Sequence, residues 1–176
     1  KGHERRRIHQ DVQMMFQDSY AAMDPRMRID EILAEPLRIQ KMGSGKEITG
    51  RIEKMVAQVG LPADALDRYP HEFSGGQLQR IGLARSLTLA PDVIVADEPV
   101  SALDVSVQAQ VLNLMKDLQE EYGMSYVFIS HDLAVVQYMA DRVGVMYLGR
   151  LVEEGPADEV VRNPRHPYTQ ALIEAI

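Results

Sequence analysis

Two short, continuous apolar runs interrupt a chain whose hydrophobic residues otherwise recur at helical spacing. Val93-Ile94-Val95-Ala96 follows the turn Ala90-Pro91-Asp92 and ends at Asp97-Glu98-Pro99. Ser125-Tyr126-Val127-Phe128-Ile129 ends at Ser130-His131-Asp132. Runs of this length, rich in β-branched and aromatic residues, read as buried strands of a parallel sheet. Val12-Gln13-Met14-Met15-Phe16 is a third strand candidate and ends at Gln17. Elsewhere the spacing is helical. Residues 46–59 place Ile48, Ile52, Met55, Val56 and Val59 on one face, and Gly60 and Pro62 stop the helix. After Ser74, the stripe is Leu78, Ile81, Ala84 and Leu87; beyond Asp104 it is Val111, Met115 and Leu118, ending at Gly123. Residues 26–37, with Met27, Ile32 and Leu33 apolar and Pro36 near the end, read as helix, as do 4–10, 133–140, 156–162 and 167–176. Residues 142–147 and 150–153 pattern as a hairpin turning at Leu148-Gly149. Strands alternating with helices indicate an α/β fold with a parallel sheet. Such sheets bind ligands beyond the carboxyl ends of their strands, where Gln17, Asp97, Glu98 and His131 all fall.

The chemistry of those ends is specific. An apolar strand finishing in two acids invites a cation: Asp97 suits Mg²⁺ on nucleotide phosphates, and Glu98 suits a water-activating base. A strand running out into solvent accounts for the same residues in isolation. Gln17 and His131 carry little weight singly. Phe73-Ser74-Gly75-Gly76-Gln77 offers a hydroxyl, amides without side-chain cover and a helix start, an arrangement suited to an anionic oxygen. A glycine turn before an ordinary helix fits those five residues equally well. Gly43-Ser44-Gly45-Lys46 imitates a phosphate-binding loop. It has Gln40 where that pattern needs glycine, Glu47 where it needs Ser or Thr, and no strand before it, so it reads as a linker and helix start.

Composition narrows the classes. At 176 residues and 45% hydrophobic content the chain can bury one core and a small appended subdomain. A net charge of −7 argues against non-specific nucleic-acid binding, and Arg5-Arg6-Arg7 reads as a solvated helix face. The lack of cysteine excludes disulfides and thiolate chemistry. No apolar run approaches the ~20 residues that span a bilayer. The N-terminal residues form no signal-peptide core.

The joint order of motifs resembles the ATP-binding cassette (ABC) family of ATPases. By that resemblance Gln17 is the Q-loop residue, Phe73 to Gln77 the signature, Val93 to Glu98 the Walker B strand with its glutamate, Ser101 to Asp104 the D-loop and His131 the switch histidine. Phe73 stands where Leu is commonest, outside the phosphate-facing residues. A narrower resemblance, to di- and oligopeptide importer ATPases, rests on Gln17-Asp18-Ser19-Tyr20-Ala21-Ala22-Met23-Asp24-Pro25-Arg26, on Tyr69-Pro70-His71-Glu72-Phe73, and on Gly155-Pro156 with Asn163-Pro164-Arg165-His166-Pro167-Tyr168-Thr169-Gln170-Ala171-Leu172.

The resemblance implies a motor subunit at the cytoplasmic face of a membrane, with ATP and Mg²⁺ as cofactors. Asp97 and Gln17 would serve the metal, Glu98 would be the base and His131 would hold the γ-phosphate. Ser74, Gly75, Gly76 and Gln77 would contact ATP on a second ABC subunit, identical or not, and Asp104 would couple the two sites. A permease would dock on the region after Gln17, to about Leu37, with a solute-binding protein as indirect partner and no nucleic acid. Residues 1–17 would end a RecA-like core, 18–90 form a helical subdomain, 91–154 resume the core and 155–176 form a C-terminal tail. Relatives serving nickel or glutathione, or a non-transport tandem cassette, are alternatives. The family's Walker A loop is not among these residues. The expectation is therefore a partial core that binds ATP poorly by itself, with apolar sheet surface left uncovered and prone to association.

Overall fold

The computed structural model describes residues 2–174, with side chains from residue 7 onward. The side chains of Arg5 and Arg6 and the end of the last expected helix, Ala175-Ile176, lie outside the described residues. Two compact units are present, Lys1–Ile129 and Ser130–Ile176.

The first unit is built on a three-stranded parallel sheet in the order β1 (Val12–Met15), β2 (Val93–Asp97), β3 (Ser125–Ile129). Register sets the two faces apart. Met14, Val95 and Val127 align across the sheet, as do Val93 and Ser125 with Val12. Their neighbours Met15, Ile94 and Ala96 point the other way and are buried. On the first face Val12, Met14, Val127 and Ile129 are exposed. The uncovered apolar sheet surface expected from the sequence is therefore present. It also corrects one expectation: β3 is an edge strand with an open face, not a buried one, because β2 alone takes the central position. Asp97 pairs with Ile129 and continues the open face to the strand end.

Helices cover the buried face. After α1 (Gly2–Asp11) and β1, a loop leads to α2 (Ile29–Gln40). This helix starts three residues later than its apolar spacing suggests and runs through Pro36. The Asp24 carboxylate accepts the Arg26 amide at 2.9 Å, and its carbonyl accepts the Met27 amide at 3.1 Å. That Asx-type turn holds residues 24–27 out of helical geometry. Glu31 then accepts the Arg28 amide at 3.1 Å, satisfying a donor at the true helix start. Ser44 and Glu47 open α3 (Gly45–Gln58) the same way, Glu47 accepting the Ser44 amide at 2.6 Å. Gly43-Ser44-Gly45-Lys46 is thus a helix cap following a helix, not a phosphate loop. The predicted apolar face of α3 is buried throughout. Next come α4 (Gly75–Leu87) and α5 (Val105–Tyr122), the latter closed by Gly123 at φ +65°.

The second unit contains α6 (Leu133–Met139), the hairpin β4 (Arg142–Tyr147) and β5 (Arg150–Pro156), α7 (Ala157–Arg162) and α8 (Pro167–Glu174). Leu148 and Gly149 turn the hairpin with φ of 49° and 75°, the two left-handed residues of a tight antiparallel turn. Val143, Val145, Ala157 and Val160 form its core, with Tyr168 and Leu172 packed against it. The His-Pro-Tyr-Thr segment has a local explanation. The Glu153 carboxylate on β5 accepts the amides of Arg165 (2.8 Å) and His166 (3.0 Å). The His166 ring accepts the Tyr168 amide at 3.1 Å, and Tyr168 lies against Tyr147 with ring centres 4.4 Å apart.

The Thr169 hydroxyl, at the margin of hydrogen-bonding geometry, and these two amides hold the Glu153 carboxyl below its ordinary value. A lowered carboxyl stabilises the fold above its unfolded value, and that contribution disappears as pH falls through the lowered one. Exchange protection of the Arg165 and His166 amides should therefore fall on acidification below the ordinary carboxyl range. Glu153→Gln should show reduced protection already at neutral pH and no further acid step. An unchanged acid profile in that variant would assign the loss to another group.

Candidate functional site

The end of β1 and the end of β2 meet through a side-chain hydrogen bond: Gln17 Nε2 donates to Glu98 Oε2 at 2.9 Å. Gln17 is exposed and two residues past β1; Glu98 is half-buried and directly follows β2. The backbone of Glu98 is unusual. Its φ is +43°, a left-handed conformation that non-glycine residues adopt at a cost of about 1–3 kcal/mol. Three hydrogen bonds hold it there. Its amide donates to Ile129 O at 2.9 Å, and its carbonyl accepts the Ser101 amide at 3.3 Å and hydroxyl at 3.1 Å. The left-handed step turns the carboxylate away from the β2 alternation and towards the Gln17 loop.

Asp97, half-buried, lines a hollow of about 390 Å³ with Phe16, Gln17 and Asp18. Among the described residues no group of three or more His, Cys, Asp or Glu converges to hold a metal. A single carboxylate with the Gln17 amide oxygen nevertheless fits Mg²⁺, which takes one or two protein ligands and completes its shell with water and phosphate oxygens. A neighbouring hollow of about 500 Å³ joins Gln17 and Ser19 to Gly75, Gln79, Ser101 and Leu103.

Ser74 caps α4 as expected, its hydroxyl accepting the Gln77 amide at 3.4 Å while Gln77 Oε1 accepts the Ser74 amide at 3.0 Å. The capping box uses the Ser74 oxygen and the Gln77 carbonyl as acceptors, so the Ser74 hydroxyl keeps its proton to donate to another acceptor. The two glycines differ. Neither has a left-handed backbone. Gly75 is exposed, and a Cβ there would meet nothing closer than Leu103 Cδ2 at 3.4 Å. Gly76 is buried, and a Cβ there would stand 2.3 Å from Val107 Cγ1. Gly75 leaves an amide open to solvent, whereas Gly76 lets α4 close onto α5. The family resemblance assigned both glycines to the anion; only the fold reveals the packing role of the second.

Asp104 is exposed and caps α5, accepting the Val107 amide at 3.0 Å. The same turn thereby presents Val107 to Gly76. His131 is exposed and belongs to the second unit, just before Asp132, which caps α6 through the Ala134 and Val135 amides. The first unit therefore brings together Gln17, Asp97 and Glu98, and places Ser74, Gly75 and Asp104 on adjoining helix starts. Sequence reasoning missed Gln79 and Ser19, both 5% exposed and hydrogen-bonded to each other at 2.6 Å. A glutamine beside the apolar stripe of α4 was the available signal.

Comparison with known proteins adds four findings. The ABC transporter family matches residues 1–101, and the oligopeptide/dipeptide transporter C-terminal region matches residues 152–176. The chain is 56% identical over 170 residues to the oligopeptide transport ATP-binding protein OppF of Bacillus subtilis, covering 96% of this chain and 56% of that protein. It is 59% identical over 166 residues to the dipeptide transport ATP-binding protein DppF of Escherichia coli, covering 94% of this chain and 50% of that protein. The chain thus spans about half the length of these relatives.

The two glycines can be separated experimentally. Gly76→Ala should lower stability by about 1–3 kcal/mol relative to Gly75→Ala, because it overpacks against Val107. Adding Val107→Ala should recover most of the loss, as read by thermal unfolding without nucleotide. Equal melting of the two single variants would remove the packing role of Gly76.

Proposed function

The chain belongs to the ABC transporter family, and we propose that it carries the hydrolytic half-site of an ATP-driven motor subunit for a membrane importer of di- and oligopeptides. The observation that carries this reading is the 2.9 Å contact between Gln17 and Glu98 beside Asp97, three groups gathered from two parallel strand ends. The names of the relatives, at 56% and 59% identity, support peptides as the solute class.

In this reading Asp97 and the Gln17 amide oxygen would hold Mg²⁺, which when bound would supply charge neutralisation to the nucleotide phosphates. Glu98 accepts a proton from water as its oxygen bonds to the γ-phosphorus and the bond to the β-phosphate oxygen breaks, releasing ADP and phosphate. His131 donates a hydrogen bond to the γ-phosphate. Ser74 and the amides of Gly75 and Gly76, with Gln77, face the γ-phosphate of ATP held by a second ABC subunit. Because Gly76 is buried against Val107, Ser74 and Gly75 are the better placed of these contacts. Asp104, through Val107, braces that turn and couples the two sites.

The region after Gln17 docks a permease. A groove of about 480 Å³ between β1, α2 and α4, lined by Met14, Phe16, Pro36, Ile39, Arg85 and Leu89, has the apolar walls that a short helix requires. No helix among the described residues is long and apolar enough to cross a membrane. Attachment to the cytoplasmic face through the permease supplies the location. Residues 18–90 act as the helical subdomain between the two parts of the core, 1–17 and 91–154, and residues 155–176 as the tail.

These 176 residues contain no P-loop, so turnover is measured on the full-length protein assembled with its permease. Glu98→Gln should bind MgATP with affinity within about threefold of wild type and hydrolyse it about 10²–10⁴ times more slowly, the span typical of a lost general base. Peptide uptake into vesicles should fall with it. Hydrolysis at the wild-type rate would remove Glu98 from the mechanism.

A further inference from the structure

A buried side-chain amide must find partners for both its carbonyl and its NH₂, so its contacts report what it is held against. Gln79, in the second turn of α4, is 5% exposed. Its Oε1 accepts the Ser19 hydroxyl at 2.6 Å, and its Nε2 donates to the main-chain carbonyl of Gln17 at 3.4 Å. Both partners lie in the loop leaving β1. Ser19 is equally buried and seated in a notch of the same helix: a Cβ on Gly82 would stand 2.9 Å from its Oγ. One turn further, Arg85 donates to the Ala22 carbonyl at 3.1 Å and pairs with Glu35 at 2.8 Å. The face of α4 formed by Gln79, Gly82 and Arg85 therefore fixes the loop at three successive points.

This arrangement does more than fill space. An apolar side chain of similar volume would pack the same gap without requiring two aligned acceptor and donor contacts. What the polar pair adds is position. Gln79 holds the main chain at Gln17, and the Gln17 amide in turn reaches Glu98 at 2.9 Å. The contacts run from α4, through the backbone of the loop, to the carboxylate at the end of β2. The helix that supplies this hold also begins at Ser74-Gly75-Gly76.

We propose that Gln79 is a positioning residue: held in α4, it sets the Gln17 amide against Glu98 and Asp97 by anchoring the loop at Gln17 and Ser19, and so ties the hydrolytic half-site to the helix that bears the phosphate-facing turn. The inference rests on the ATPase reading above. Gln79 is buried against the loop and acts through Gln17.

The test uses the full-length ATPase assembled with its permease, with MgATP as the probe. Gln79→Met keeps length and volume while removing both polar contacts. It should lower kcat about tenfold through misplacement of Gln17 and raise the Mg²⁺ concentration for half-maximal rate several-fold, with KM for ATP changed by less than about twofold. In a Gln17→Ala background it should add nothing beyond about twofold, since both changes disable one unit. Independent, multiplying effects would overturn the proposal while leaving the site assignments intact. A lower melting temperature with unchanged Mg²⁺ dependence would reduce Gln79 to a structural role. If Gln79→Met does not fold, Ser19→Ala, which retains the Gln79 side chain, should show the same loss and the same non-additivity with Gln17→Ala; multiplying effects there would overturn the proposal equally. Gln17→Ala at the wild-type rate would overturn the placement of Gln17 and this proposal with it. A wild-type protein without Mg²⁺-dependent hydrolysis would fail the functional reading itself.

Discussion

Helix α4 can lie in the middle of the first unit only because two of its three glycines stand where a side chain would collide with a neighbour. Gly76 admits Val107 of α5, and Gly82 admits Ser19 of the loop after β1. Around these notches Leu78, Ile81, Leu83, Ala84 and Leu87 are buried on several sides of the helix, not along one stripe. Close-packed interiors tolerate little added volume, so the distance of α4 from α5 and from the loop is set by these two absences. The loop after Gln17, the cap at Asp104 and the turn at Ser74 take their positions from that helix. A chain with alanine at both positions would keep its secondary structure and lose the alignment between the Ser74 turn and the Gln17 loop.

The central polar contact works within this frame. Gln17 and Glu98 are 81 residues apart, as Gln79 and Ser19 are 60 apart, and both pairs converge on one loop. Each such contact is individually modest, about 0.5–1.5 kcal/mol for a typical hydrogen bond. Their effect is orientational. The left-handed backbone at Glu98 and the Gln17 amide fix the direction of that carboxylate from two separate strands, as the proposed proton transfer from water requires.

Much of the architecture was legible in the order of residues. The apolar runs at Val93 and Ser125, the capped starts at Ser74 and Asp104, and the stop at Gly123 are local signals, and the strands and helices follow them closely. The order of motifs also fixed the family. The start of α2 was misread because its first apolar residue, Met27, belongs to a turn governed by the Asp24 side chain, a competing hydrogen bond that periodicity does not register. The open face of β3 was missed because its apolar composition says that it pairs, not on which side another strand stands. The packing role of Gly76 and the partners of Gln79 were beyond sequence reading for a different reason. Their partners, Val107 and Ser19, are distant along the chain, and no local pattern distinguishes a glycine that frees an amide from one that makes room for a methyl group. The second unit lies at the other extreme: Glu153, His166 and Tyr168 are close in sequence and bind one another, so the family tail is a locally explicable motif.

The backbone at Glu98 has a consequence for descent. A glutamate held at φ +43° occupies a conformation that glycine or asparagine adopts with less strain. Thermodynamic selection at that position runs against the residue that the proposed ATPase chemistry requires. In a lineage relieved of the need to hydrolyse ATP, substitution there would be favoured on stability alone, and the loss of the carboxylate would be among the earliest marks of a cassette that had become a passive nucleotide binder.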